Sequence, residues 1–250
     1  MNSDRHPCPC CGYRTLPSPA GGTMEICPVC FWEDVGEACW LIDQPTLAEA
    51  QRNFLAHGAT AAQFLNMVRP PSSEEARSGH WLSVEQMREK ILRFVEESFE
   101  KVLLGNGMNL AQQGLLEDWH TDAQYQSLAG SPQLRWQDIP DSALISLRHL
   151  TLNCLDPVSV RFHLPAFLRF TLKSNRHREL CHNLIFYSLE CGPTPDDQRF
   201  NLLSKSQHQA VAAFLCFYER YDPAGNEEAT KGLKAGWSQW VPDFVRLAYL

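Results

Sequence analysis

Two pairs of cysteines near the start of the chain decide how its N-terminal segment can fold. They are Cys8-Pro-Cys-Cys11 and Cys27-Pro-Val-Cys30, a C-x2-C-x15-C-x2-C arrangement. Two residues between ligands let one tight turn aim two thiolates at the same ion. Gly12, directly after the second cysteine, allows the positive φ that such turns adopt. The loop between the pairs is long enough to bring the second opposite the first, and its Pro17-Ser-Pro-Ala-Gly-Gly22 run predicts a turn. Tyr13, Ile26, Phe31 and Trp32 beside the pairs predict two short strands, so the segment reads as a small zinc ribbon of the rubredoxin kind. Four thiolates in a tetrahedral array favour zinc, and iron is the chemical alternative.

The expected cofactor is therefore one structural zinc on Cys8, Cys11, Cys27 and Cys30. Cys10 occupies an x position of the first pair and is expected to point away from the ion as a spare thiol. A closed four-thiolate site has no open position for water or substrate, so hydrolytic metal catalysis is not expected there. The ion contributes folding energy to a segment with few core aliphatics.

The other cysteines, Cys39, Cys154, Cys181, Cys191 and Cys216, are scattered, lack a C-x2-C partner and read as small core residues. No run reaches the eighteen or so apolar residues of a membrane span, and the first residues, MNSDRHPCPC, carry no apolar signal segment. The expected location is the cytoplasm, where thiols stay reduced and paired cysteines point to metal. Net charge is −7, and residues 1–80 hold nine acidic residues against five arginines, with Lys90 the first lysine. Such a head would repel phosphates, so neither nucleic acid nor membrane is an expected partner.

After the cysteines the period changes to that of helices. Thr46 is a possible N-cap before Leu47, Ala50, Phe54 and Leu55, and Gly58 a stop. A second short helical stretch is predicted over Ala61–Val68, and Arg69–Gly79 is the best linker candidate. Ser83 with Gln86 forms a capping-box signature, followed by the stripe Val84, Met87, Ile91, Phe94, Val95 and Phe99 up to Gly105-Asn-Gly107. Further helices are predicted at Asn109–Leu116, from Pro140, from Pro157 to about Leu172 with a bend at Pro165, and at Glu179–Ser188, Lys205–Tyr221 and Glu227–Val241. Residues 118–139 read as a polar connection carrying Trp119, Tyr125 and Trp136. The fold class is thus mainly α: a metal-binding module over residues 1–72 and an all-helical domain over residues 80–250.

The first module resembles the cysteine-rich CPCC family of small bacterial proteins. The likeness rests on Cys8-Pro-Cys-Cys-Gly-Tyr-Arg-Thr-Leu16, Glu25-Ile-Cys-Pro-Val-Cys-Phe-Trp-Glu-Asp34 and Leu47-Ala-Glu-Ala-Gln-Arg-Asn-Phe54, with Gly58-Ala59 and Val68-Arg-Pro-Pro71. It departs after Asp34, where Val35-Gly-Glu-Ala-Cys-Trp replaces a Gly- and Asn-rich stretch. The resemblance implies a metal-binding fold and no activity. The remainder is similar to a second, uncharacterised group of bacterial helical proteins through Gly105–Asp118, Trp136-Gln-Asp-Ile-Pro140 and Arg161-Phe-His-Leu-Pro-Ala-Phe-Leu168.

Three places in the helical part could carry chemistry. Glu117-Asp-Trp-His-Thr-Asp122 sets a histidine among acids, and its bland reading is a solvated loop. Asp156, Arg161 and His163 at helical spacing could line a pocket, against the reading of His163 as a buried structural histidine. Arg169, Lys173, Arg176, His177 and Arg178 form a basic cluster whose default is a solvated helix end. No phosphate loop, dinucleotide fingerprint, nucleophile elbow or HExxH motif occurs. The reading is a non-enzymatic interaction or regulatory protein, possible immunity types included, that binds another protein. The alternative is an enzyme with its site around Asp156, Arg161 and His163, and a redox role for Cys10 is a third course. Oligomeric state has no signature.

Overall fold

Helices begin where side chains can satisfy the first backbone N–H groups, and two capping boxes set the frame. In the computed structural model, which describes residues 5–35, 45–114, 122–127, 129–146, 152–173, 185–194, 197–221 and 226–249, Thr46 and Glu49 cap helix α1 (Leu47–His57) reciprocally, and Gly58 closes it at φ 92°. Ser83 and Gln86 do the same for helix α2 (Val84–Ser98): Gln86 N donates to Ser83 Oγ, and Ser83 N to Gln86 Oε1. Each cap is worth about 1 kcal/mol.

The chain divides into two compact units, Met1–Met87 with Asp243–Leu250, and Arg88–Pro242. In the first, strands β1 (His6–Pro7) and β2 (Arg14–Leu16) pair antiparallel, His6 opposite Leu16 and Pro7 opposite Arg14. A single bridge, Ile26 to Glu33, closes the second cysteine turn. The core is the cysteines themselves with Leu16, Val29 and Ala50, flanked by Tyr13, Trp32, Leu47 and Phe54. Gln51, buried on α1, clamps this core: its Nε2 donates to Pro9 O, and its Oε1 accepts from Val84 N at 2.7 Å.

Two predictions in this unit are corrected. The stretch Ala61–Val68 forms one 3-10 turn, Ala62–Phe64, and no regular helix. Tethers at both ends prevent it, because Thr60 N donates to Cys30 O and Arg69 N to Pro28 O. Phe64 also stacks on Phe31 at 4.2 Å. Arg69–Gly79 is no slack linker. Arg69 forks onto Glu75 at 2.8 and 2.6 Å, and Glu75, 4% exposed, also takes Ser72 N within the 3-10 turn Ser73–Glu75.

In the second unit, helix α3 (Leu110–Gly114) starts under reciprocal hydrogen bonds between Asn109 and Gln112. The predicted polar connection contains a short helix, α4 (Asp122–Ser127), and a 3-10 turn at Trp136–Asp138. Trp136 there is a core anchor: it is fully buried and donates Nε1–H to Phe99 O at 2.8 Å. Helix α2 stops at Ser98, ahead of the predicted Gly105-Asn-Gly107. Helix α5 spans Asp141–Ser146.

Helix α6 (Pro157–Lys173) is apolar on most of its circumference and is a buried element of this unit, as an all-round hydrophobic helix must be. Pro165 lies inside it and leaves the Arg161 carbonyl without its helical donor. Helix α7 (Lys205–Tyr221) has the predicted bounds, and Tyr218 donates Oη–H to Thr171 O. Helix α8 (Asn226–Ala235) stops earlier than predicted because Gly236 turns the backbone to φ 141°. Trp237 follows, fully buried, donating Nε1–H to Leu189 O. Helix α9 (Asp243–Tyr249) is assigned to the first unit. Outside β1 and β2, the strand contacts among the described residues are isolated bridges. The chain is mainly helical, with a small cysteine-rich sheet at its N-terminus. None of the described helices is long and apolar enough to cross a membrane.

Candidate metal centre

The two cysteine turns have the same backbone hydrogen bonds. In the first, Gly12 N donates to Cys8 O at 2.8 Å and Cys8 N to Tyr13 O at 2.9 Å. In the second, Phe31 N donates to Cys27 O at 2.9 Å and Cys27 N to Trp32 O at 2.8 Å. The residue after each second cysteine is left-handed, Gly12 at φ 74° as expected and Phe31 at φ 65°. A phenylalanine there costs about 1 kcal/mol of backbone strain. The Phe31–Phe64 stack offsets it.

These turns deliver four buried sulfurs to one point. Cys8 Sγ lies 3.7 Å from Cys30 Sγ and Cys11 Sγ 3.7 Å from Cys27 Sγ, so each turn's first cysteine faces the other turn's second. All four sulfurs lie within 4.8 Å of one another. A tetrahedron with metal–sulfur bonds of about 2.3 Å has edges of about 3.8 Å, whereas a disulfide would need about 2.05 Å. The four could hold a metal ion. Cys10 is also buried but lies outside the set.

The electrostatics point the same way. Hydrogen bonds from Cys11, then Cys30 and Cys8, push the Cys27 thiol down. The bond to Cys27 pushes Cys11 up, and Cys30 is pushed up by Cys10 first and then by the other three. Four charges at this spacing need a cation at the centre, because buried like charges repel without screening.

Side chains that were not candidates from sequence hold the frame. Thr15 Oγ1 lies 3.1 Å from Cys27 Sγ. Asp34 Oδ2 accepts from the backbone N–H groups of Gly21, Gly22 and Thr23 and from Thr23 Oγ1 at 2.8–3.1 Å, so an internal carboxylate fills the nest of the loop between the pairs. Burial pushes the Asp34 carboxyl up, but those donors outweigh it and keep it below its ordinary value. Arg77 lies over the rings of Trp81 (4.6 Å) and Tyr13 (5.2 Å) and donates to Cys11 O.

The helical candidates fare differently. Asp156 caps α6 through Val158 N and Ser159 N and bonds the Ser159 hydroxyl. His163 Nδ1 lies 2.8 Å from Ser159 O, so Asp156 and His163 meet at one serine, while Arg161 Nε turns away to Gln207 Oε1. Burial first of all, against weaker opposition from Ser159 and Asp156, lowers the His163 pKa to about 4, so it is neutral. Its buried Nε2 has no hydrogen-bond partner among the described residues. Arg169 is committed internally, to Gln137 O, Ile139 O and the Trp136 ring. Lys173 pairs with Glu96 at 3.7 Å. Arg176, His177, Arg178 and the 117–121 part of the acidic histidine segment lie outside the described residues, as do Cys39 and Cys181.

A family model described as Cysteine-rich CPCC matches residues 6–75. One described as a family of unknown function (DUF6714) matches residues 87–244. No curated protein and no solved structure gives a match.

Proposed function

We propose that this chain, which belongs to the DUF6714 family of unknown function and carries a CPCC module ahead of it, is a non-enzymatic cytoplasmic interaction protein whose head is folded by one structural zinc. The observation that carries the reading is the closed set of four buried thiols at tetrahedral spacing. Such a site has no vacant coordination position for a reacting molecule, and its ion acts on folding. Zinc is preferred to iron because it needs no redox partner and is the usual occupant of closed tetrathiolate sites.

The partner is another protein, met by the head. Among the described residues of the 1–80 segment five large apolar side chains are exposed, Met67 at 63% and Met24 at 52% among them, with Ile26, Leu55 and Leu65. They lie in a segment with nine acidic residues and five arginines over residues 1–80, which suits a basic partner surface and an immunity-type or regulatory role. Native mass spectrometry of complexes captured from the source cells tests this. The expected species is one chain, one zinc and one partner of defined mass, released as salt rises from about 0.1 M to 1 M because charges at the rim are screened. A zinc-loaded chain with no partner, or a partner unaffected by salt, would count against the reading.

A further inference from the structure

We infer that Thr15 is a positioning residue of the metal centre, donating its hydroxyl hydrogen to Cys27 Sγ and holding that sulfur in place. The inference rests on the metal-centre reading above. Both residues are buried, and the oxygen–sulfur distance is 3.1 Å. Among the described residues the hydroxyl has one other acceptor in reach, Tyr13 O at 3.5 Å. That carbonyl already accepts Cys8 N and Thr15 N, each at 2.9 Å, so both its lone pairs are taken. Cys27 is the acceptor left to the hydroxyl.

With a metal bound, the direction of the bond is fixed. A coordinating cysteine is a thiolate with no hydrogen to give, so Thr15 must be the donor. The side chain is held for the task. Thr15 sits on β2, with its carbonyl accepting from Arg5 Nη1 at 3.2 Å, and a β-branched residue has a stiff χ1. The bond also addresses the main electrostatic burden of the site. Four thiolates around a divalent ion leave two net negative charges out of water, and each hydrogen bond to sulfur disperses part of them.

Zinc affinity measured against a chromophoric chelator, together with the sulfur-to-metal charge-transfer band of the cobalt-loaded full chain, tests this. Thr15→Val keeps the shape and removes the donor. It is expected to weaken zinc binding about tenfold, the lower end for loss of a partner to a metal ligand. It should also move the cobalt band to lower energy, because the sulfur lone pair is no longer stabilised. Thr15→Ser restores the hydroxyl and is expected to return both quantities towards wild type. Thr15→Ala, which sets no methyl against the sulfur, should shift the band as Val does. An unshifted band in Val or Ala, or a serine variant as weak as valine, would overturn the inference while leaving the metal centre standing. A wild-type chain that takes up neither zinc nor cobalt would overturn both.

Discussion

Replacing Gly12 with alanine probes the first cysteine turn at its tightest point. Gly12 holds φ 74°, where a side chain costs about 1 kcal/mol. A Cβ built there would stand 2.4 Å from Trp81 Cδ1 and 2.6 Å from Cγ, so the indole must move. Forced repacking of this kind costs about 1–3 kcal/mol. It would also disturb the Arg77–Trp81 contact at 4.6 Å. The sum is about 3 kcal/mol, and because metal binding and folding of such a module are one equilibrium, Gly12→Ala should weaken zinc binding about a hundredfold. The assay is chelator competition on four chains: wild type, Gly12→Ala, Trp81→Ala and the double variant. Removing the indole removes the clash, so in the Trp81→Ala background Gly12→Ala should cost only the backbone part, about fivefold. A Gly12→Ala chain within threefold of wild type, or an equal loss in both backgrounds, would refute the argument.

Three further outcomes follow from charge and position. Cys10→Ser should keep one metal per chain, whereas Cys30→Ser should lose tight binding; elemental analysis after gel filtration separates them, and metal loss in Cys10→Ser alone would exchange their roles. Glu75, lowered to about 2 chiefly by Arg69, contributes stability that is complete above its ordinary value of 4.5 and is lost as pH falls towards 2. Glu75→Gln should remove about 1–2 kcal/mol at pH 7, less than the full shift implies because Arg69 is half exposed, and denaturant unfolding at pH 7 and pH 3 should show the difference shrinking in acid. His163 has a folded pKa near 4 against 6.5 unfolded, so its contribution is whole above pH 6.5 and drains away between there and pH 4. His163→Leu should flatten the loss of helical-unit stability across that window by up to about 3 kcal/mol, and an unchanged slope would contradict the buried neutral histidine.

Much of this was legible because some physics is local. The ligand spacing of the cysteine pairs, the Thr46–Glu49 and Ser83–Gln86 boxes and the Lys205–Tyr221 period each need only neighbouring residues. Elsewhere the deciding partner is far along the chain. Arg69–Gly79 looks like a linker until Glu75 is seen buried against Arg69. Trp136 looks like part of a polar connection until its indole N–H finds Phe99 O across 37 positions. Thr15 acts on Cys27 through the tertiary fold, and nothing in Tyr13-Arg-Thr15 marks it. Asp156 and Arg161 are near in sequence, yet helix capping takes one side chain and Gln207 the other.

Zinc K-edge absorption on the full chain tests the central claim most directly. The account predicts one zinc per chain with a first shell of four sulfurs at about 2.3 Å and no nitrogen or oxygen. A shell containing a light atom, fewer than four sulfurs, or a chain that binds no zinc would contradict it.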